Sequence, residues 1–405
     1  MRAQVAIVGG GILGCASAWH LARAGVRDVV VLERGELNAA TTSQAAGLIG
    51  QLRPSAVKTA IVRQTLMDIA AFSSEGLPTG FHKTGSLRLA LTGQRETELL
   101  EQVSRGRRLG VDVVLVSAKD VARLAPGVSV PDNRVAAWLP GDGYAEPYTL
   151  ASAYAAAARA LGVRFLTGRE VTAIATRGGR ATGVVTAAGA VEAETIVVAA
   201  GAWTAPLAAA AGAGAPVYPV RHQAWVTAPM PWVSPAFPVI RIPDRWAYLR
   251  PEVGGLMFGF FEPTPLGVDP DTLGAGFTID RVPRDPGVVT GYAGGLVEIV
   301  PGLHDAPIAG ATAGLPTFTP DGEFVVGALD DVAGLLVASG CCAHGIAGSG
   351  GVGRAVAEAI TGQTPTIDPT PLRAARFGGR RRDRAWIRVA STATYAGYYG
   401  GTRTA

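Results

Sequence analysis

Val5-Ala6-Ile7-Val8-Gly9-Gly10-Gly11-Ile12-Leu13-Gly14 joins an unbroken apolar, β-branched run to a G-x-G-x-x-G arrangement. Apolar residues without alternation are what a strand buried on both faces requires. Ala16 to Ala24 then reads as a helix ended by Gly25, and Val29-Val30-Val31-Leu32 as a second strand that stops at Glu33. Each glycine has a geometric role. Gly9 permits the tight turn, Gly11 lets the backbone approach a pyrophosphate, and Gly14 lets the helix pack on the strand. The helix start at Ile12 presents orphan N–H groups and a partial positive charge to phosphates. Glu33, with Arg34 beside it, ends the second strand 24 residues after Gly9. A carboxylate there accepts hydrogen bonds from both ribose hydroxyls and disfavours a 2′-phosphate. A glycine-rich turn in a glycine-heavy chain is the bland alternative; the order strand, helix, strand, acid argues for a dinucleotide.

The remaining composition bounds the answer. The chain has 405 residues, 48% of them hydrophobic and 17% charged, which excludes a disordered or fibrous protein. That length predicts two or three domains, or one elaborate fold with an inserted lobe. The formal net charge is +4, yet residues 371–405 hold eight arginines against one aspartate, so the body before them is mildly acidic. Cys15, Cys341 and Cys342 cannot build a disulfide framework, and the adjacent pair lacks metal-ligand spacing; no metal is expected, and the pattern fits a reducing, cytoplasmic compartment. Thr195 to Val220 carries no charge, but Pro206, Pro216 and Pro219 break it into a buried strand, a turn and a short helix rather than a membrane span. The apolar N-terminus is no signal peptide, because its glycines fall at motif spacing and it runs on into a helix. No Gly-x-Ser-x-Gly elbow of an α/β-hydrolase occurs.

Two later segments choose between NAD and FAD. Thr195 to Trp203 is an apolar strand ending in the small-residue turn Ala200-Gly201, and Arg169 to Ile174 alternates as a strand edge does. Similar segments complete the FAD lobe of glutathione-reductase-type flavoproteins, where the residue matching Val171 meets the adenine through its backbone. Leu335 to Ser339 is a further buried strand, followed by the small-residue run Cys341 to Gly353 and a helix, Arg354 to Thr361. The N-terminus of that helix can face a flavin pyrimidine edge and stabilise the negative charge that reduction creates there, and Gly345, Ile346 and Ala347 of the small-residue run are expected to line the cofactor. An NAD dehydrogenase has no need of this return, so FAD is the expected cofactor.

These segments, with Ala45 to Ser55, Val220-Arg221-His222-Gln223, Tyr248-Leu249-Arg250-Pro251, Gly254 to Gly259 and Thr317 to Gly322, resemble the FAD-binding lobe of the sarcosine and dimethylglycine dehydrogenases and 4-methylaminobutanoate oxidase. These are D-amino-acid-oxidase-like flavoproteins. The resemblance implies that Thr42, Ser43, Gln44, Gly47 and Leu48 lie along the flavin. Members of this group often attach FAD through a histidine; Gln44 stands there instead, and Gly314 stands near the cysteine used by monomeric sarcosine oxidases. Non-covalent FAD is therefore expected. Met257 matches the lysine that activates oxygen in those oxidases, which favours a dehydrogenase, with the electron acceptor (O₂ or a carrier) left open. The resemblance implies that the dehydrogenases of this group continue into a folate-binding domain, which this chain is expected to lack.

Oxidising a C–N bond by hydride transfer to flavin N5 needs a neutral amine, a C–H bond about 3–3.5 Å from the acceptor, and an anchor for the remainder of the substrate. The resemblance points to His222 and Tyr248 for the catalytic work. A histidine titrates near neutrality and can accept or orient the ammonium proton. Arg250 and Arg53 are candidates for a substrate carboxylate, because a guanidinium offers a bidentate fork; His344 is a candidate for the flavin or substrate wall.

The expected fold is α/β: a Rossmann FAD lobe of the glutathione-reductase type from 1–80, 140–215 and 305–370, and an antiparallel-sheet substrate lobe from 81–139 and 216–304. Residues 371–405 form a basic arm that resembles a link to the missing domain, with Tyr395, Tyr398 and Tyr399 available to dock a protein partner. The cluster Arg380-Arg381-Arg382-Asp383-Arg384 without a recognition fold does not predict nucleic-acid binding. The leading expectation is oxidation of a secondary or tertiary amine such as an N-methylated amino acid. Oxidation of a D-amino or cyclic imino acid, and a non-catalytic flavin-binding regulatory or assembly subunit, are its rivals.

Overall fold

The computed structural model describes residues 1–274 and 276–400. Its first sheet is built around the long strand Gly189–Val198, which pairs in parallel with Arg2–Val8 on one side and Leu335–Ser339 on the other. Val29–Leu32 and Arg164–Leu166 extend the parallel set, and the hairpin Val171–Arg177/Arg180–Thr186 lies antiparallel on the near half of Gly189–Val198. The strands expected from their apolar runs are thus present, and the α/β fold is the one expected. Helices Ile12–Arg23, Ala56–Ser74, Pro147–Ala160 and Gly345–Thr361 cover one face and bury a single apolar core against it.

The last of these helices corrects the sequence expectation. It begins at Gly345 rather than Arg354 and runs straight through Gly348, Gly350, Gly351 and Gly353. Each glycine costs a helix roughly 1 kcal/mol of propensity, but here the missing side chain is what allows contact. A Cβ on Gly353 would stand 2.7 Å from the Ala16 backbone and 2.8 Å from His20. Close helix packing therefore overrides propensity. Below this contact Asp68 accepts from His20 at 2.9 Å, from Tyr154 at 2.7 Å and from Gln64 at 2.8 Å, tying three helices together.

The second sheet has the order Ile308–Gly314, His222–Thr227, Gly255–Phe260, Ala247–Glu252, Val239–Ile242, Ser86–Leu89, Val135–Leu139, Val114–Ser117. It is antiparallel except where Val239–Ile242 meets Ser86–Leu89 in parallel. That joint is where the two chain excursions meet edge to edge. Ile308–Gly314 pairs with His222–Thr227, so it belongs to this lobe and not to the first, and the expected boundary at 305 moves to about 315.

The arm folds back onto the body. Arg376 pairs with Asp321 at 2.8 Å, Arg382 with Asp331 at 2.7 Å, Arg384 with Asp271 at 2.6 Å, and Arg381 also pairs with Asp331. Its helix Arg384–Ala396 carries Tyr395 into full burial, and Tyr399 is buried behind it. Those tyrosines are therefore not a docking surface, because the acidic body neutralises the arm and draws it in. Residues 401–405 of the arm lie outside the described residues. Among the described residues no helix is long and apolar enough to cross a membrane.

Candidate active site

One cavity of about 620 Å³ runs between the two lobes, from the Gly9–Gly14 turn to the face of the second sheet. Its first end is walled by Gly9, Gly11, Ile12, Glu33, Arg34, Val171, Ala200, Gly201 and Trp203. Glu33 is fixed by accepting from the Gly10 N–H at 2.8 Å and the Gly35 N–H at 2.9 Å, which leaves carboxylate lone pairs for ligand hydroxyls. Arg34 stacks over Trp203 at 3.7 Å and donates to the Phe277 carbonyl at 2.9 Å, so it closes this end as a flat clamp. Gly14 lies outside the wall. Its missing Cβ leaves room for the Gly9 carbonyl, the packing role the motif assigns.

The middle of the cavity lies between two segments. On one side are Thr42, Gln44, Gly47 and Leu48; on the other are Gly345, Ile346 and Ala347. Thr42 Oγ1 accepts from the Ile12 N–H at 3.1 Å and so caps the first helix. Ser43 does not reach the cavity, since its hydroxyl turns back to the Ala39 and Ala40 carbonyls and holds the turn. Ahead of Gly345 the chain turns through Gly340, Cys342 and Ala343, all with positive φ (67°, 45° and 59°). For the latter two this conformation costs on the order of 1–3 kcal/mol each. Thr317 holds the turn, its carbonyl accepting from the Cys342 N–H at 2.8 Å and its hydroxyl from the Gly340 N–H at 3.1 Å. Local strain is thereby spent on starting a helix at the wall.

Strand register builds the far end. Arg241 lies opposite Tyr248, and Tyr248 opposite Gly259, which lies opposite Ala224, two residues from His222 on the same face. A Cβ on Gly259 would come within 2.6 Å of Tyr248 Cζ. Because that position is empty, the Tyr248 ring lies across the sheet and its Oη reaches His222 Nε2 at 2.8 Å. On the other side of the imidazole, Nδ1 meets Tyr395 Oη at 2.9 Å. Burial pulls the His222 pKa down to about 4 and pushes that of Tyr248 well up. At neutral pH both are uncharged, so the proton-accepting role expected of His222 narrows to an orienting one.

The three remaining candidates sit off the wall. Arg250, expected at a substrate carboxylate, is buried and already engaged within the protein. It donates to the Ala46 carbonyl at 2.7 Å and the Pro251 carbonyl at 2.8 Å, pairs with Glu252 at 2.6 Å, and lies over the Tyr144 ring at 4.4 Å. It ties the second sheet to the Ala45–Gly47 loop. Arg53 is buried behind the wall, with Nε and Nη2 unpartnered. His344 is also behind it, Nε2 bonded to Tyr398 Oη at 2.8 Å, with burial holding its pKa well below the ordinary value.

Sequence reasoning missed Arg241, Phe261 and Tyr398, which all line the cavity. Tyr398 lies flat on Phe261, centroids 3.5 Å apart and planes 6° from parallel. Neither Arg241 nor Tyr398 stands in a motif. The alternation of Val239-Ile240-Arg241-Ile242 is a signal that a polar side chain faces away from the strand's core side, but nothing local says what it faces.

The chain is similar to known flavoproteins. The profile of the FAD dependent oxidoreductase (DAO) family matches residues 4–359. The mitochondrial dimethylglycine dehydrogenase of Rattus norvegicus is 33% identical over 93% of this chain and 45% of its own length. The formaldehyde-forming 4-methylaminobutanoate oxidase of Paenarthrobacter nicotinovorans is 30% identical over 95% of this chain and 47% of its own. The chain thus spans about half the length of these curated relatives. The crystal structure of L-proline dehydrogenase from P. horikoshii superposes with a TM-score of 0.82 at 24% identity, covering 93% of this chain and 98% of that one.

Proposed function

Because the chain belongs to the FAD dependent oxidoreductase family, we propose that it oxidises a C–N bond of a secondary or tertiary amine resembling an N-methylated amino acid. The imine product then hydrolyses to an aldehyde and the smaller amine. The residues present fit the cofactor: the glycine turn and Glu33 suit its adenosine pyrophosphate, and the gap between Gly47–Leu48 and Gly345–Ala347 suits its ring system. Bound FAD supplies the two-electron acceptor. The names of the dimethylglycine and 4-methylaminobutanoate relatives support an N-methylated substrate.

The observation that carries the reading is the Tyr395–His222–Tyr248 chain at the far end of the cavity. A neutral imidazole has one donor and one acceptor nitrogen, so a proton position at Tyr395 fixes the one at Tyr248 Oη. Tyr248 can then accept an N–H of the substrate or donate to its lone pair, holding the amine in one orientation. Since His222 is too weak a base at neutral pH to keep the ammonium proton, the productive form is the neutral amine. Phe261 and Tyr398 supply an apolar wall that excludes water from it.

Neither Gln44 nor Gly314, both in the cavity wall, is a nucleophile, so the flavin is held non-covalently and acid precipitation releases it into solution. Flavin that stays with the precipitate overturns this attachment. The function is tested by anaerobic mixing of the FAD-loaded protein with N-methylated amino acids. Bleaching of the flavin is expected, slowed about 10²-fold in His222→Ala by loss of the amine's orientation. A flavin that no amine bleaches refutes the function, and an unslowed His222→Ala refutes the assignment of His222.

A further inference from the structure

Strand register sets Arg88 directly beside Arg241 on parallel strands, and Arg241 opposite Tyr248. All three side chains therefore leave the same face of the sheet, the face that walls the cavity through Arg241 and Tyr248. Like charges side by side on neighbouring strands destabilise a sheet. Arg53 adds a third guanidinium: it is only 6% exposed, and its Nε and Nη2 have no partner. Burial and the nearby Arg241 draw its pKa down to about 10, and burial does the same to Arg88, whereas at Arg241 burial is outweighed by Tyr399, Tyr398 and Asp142, which hold its pKa above the ordinary value.

Compensation within the protein is small. Among the described residues no carboxylate stands within ion-pair distance of Arg53, Arg88 or Arg241, in contrast to Arg250 and its pair with Glu252. Asp142 is near, but Oδ1 already accepts from the Gln51 backbone at 3.0 Å and its side chain at 3.1 Å, and Oδ2 from Ser86 at 2.6 Å. Arg88 lies over the Tyr399 ring at 5.7 Å, a contact that attracts a cation without neutralising it. Tyr399 Oη meets no partner in full hydrogen-bond geometry, but it lies close enough to Arg241 to favour the charged guanidinium. Three guanidiniums face one committed carboxylate; Arg53 is buried and Arg88 and Arg241 are half-buried, and unpaired charge withdrawn from water is costly to keep. A single substrate carboxylate would leave one positive charge unanswered.

We propose that the Arg241 end of the cavity is a site for a doubly anionic group, with Arg241 in contact and Arg53 and Arg88 behind it. The oxidised amine accordingly carries two carboxylates, or one phosphonate, beyond its nitrogen. The inference rests on the amine reading above. Among dianions, dicarboxylates and phosphonates share the recognised chemistry, and separate probes tell them apart.

The test titrates the FAD-loaded protein with acetate, succinate, glutarate and methylphosphonate, following the flavin absorbance change or the heat of binding. A dianion is expected to bind roughly tenfold or more tighter than acetate, and the tighter of the carboxylate and phosphonate probes names the source. Arg241→Met is expected to abolish the preference. Arg53→Met is expected to weaken it without lowering thermal stability, since the lost Nε and Nη2 make no hydrogen bond and Met keeps most of the buried apolar stem. Equal binding of acetate and every dianion overturns the proposal, as does an undiminished preference in both variants. The same protein is then mixed anaerobically with N-methylglycine, N-methylaspartate and N-methylglutamate. If all reduce the flavin equally well, the dianion site is refuted and the amine function stands. If none does while succinate still outbinds acetate, the amine function fails and the anion site stands.

Discussion

Arg250→Met separates two accounts of the same residue. If Arg250 gripped a substrate carboxylate, its loss would weaken substrate binding and leave the fold intact. The structure instead gives it two backbone carbonyls, a 2.6 Å pair with Glu252 and the face of Tyr144. Removing one partner of a buried ion pair costs about 3–5 kcal/mol, because the other charge is left without compensation. For a chain of 405 residues the unfolding entropy is about 0.85 kcal/mol/K. The expected fall in melting temperature is then about 4–6 °C. The bond to the Ala46 carbonyl is lost as well, so the Ala45–Gly47 loop loosens and FAD affinity falls with stability. Thermal unfolding of the apo and FAD-loaded forms, with a flavin titration, reads both. Arg250→Lys, which keeps a charge but not the fork, should lie between. An unchanged melting temperature and FAD affinity, together with a raised substrate Kd, would refute this reasoning and restore the carboxylate role.

Two further outcomes follow from the same site. His222 is half-buried and held neutral, its pKa drawn down to about 4 by loss of hydration, whereas the unfolded chain protonates it near the ordinary histidine value of about 6.5. Its cost is absent above that value, grows as pH falls, and saturates below about 4, at a total of about 3 kcal/mol. Urea unfolding from pH 7 to 4 should therefore show a stability loss that His222→Asn reduces, and identical slopes for the two proteins would contradict the burial argument. Gly259→Ala places a methyl where the Tyr248 ring lies, and a shift of about 1 Å in such a group costs about 10²-fold in rate. Flavin reduction should slow by that order while FAD binding stays intact; a normal rate would show that Tyr248 does not position the amine.

The nucleotide end was legible because its chemistry is local. Gly9, Gly11, Ile12, Glu33 and Ala200-Gly201 sit at backbone turns, a helix start and a strand end, and short-range spacing encodes those directly. Helix Gly345–Thr361 was harder, since glycine propensity argues against it and the reason it forms lies on Ala16, hundreds of positions away. Arg250 was misjudged for a related reason. A strand motif shows that an arginine is present and faces one side, but not that Glu252 and the Ala46 carbonyl already occupy it.

By itself the sequence determined the dinucleotide turn, the apolar strands and helices of the first lobe, and the family to which they belong. Those are properties of contiguous residues, set by periodicity, glycine geometry and strand-end chemistry. Tertiary structure alone decided what meets at the other end: His222 between Tyr248 and Tyr395, Tyr398 of the basic arm flat on Phe261, and Arg88 beside Arg241. Each of these contacts joins residues distant in sequence through sheet register or helix docking. Register depends on which strands find each other, and no local pattern carries that information.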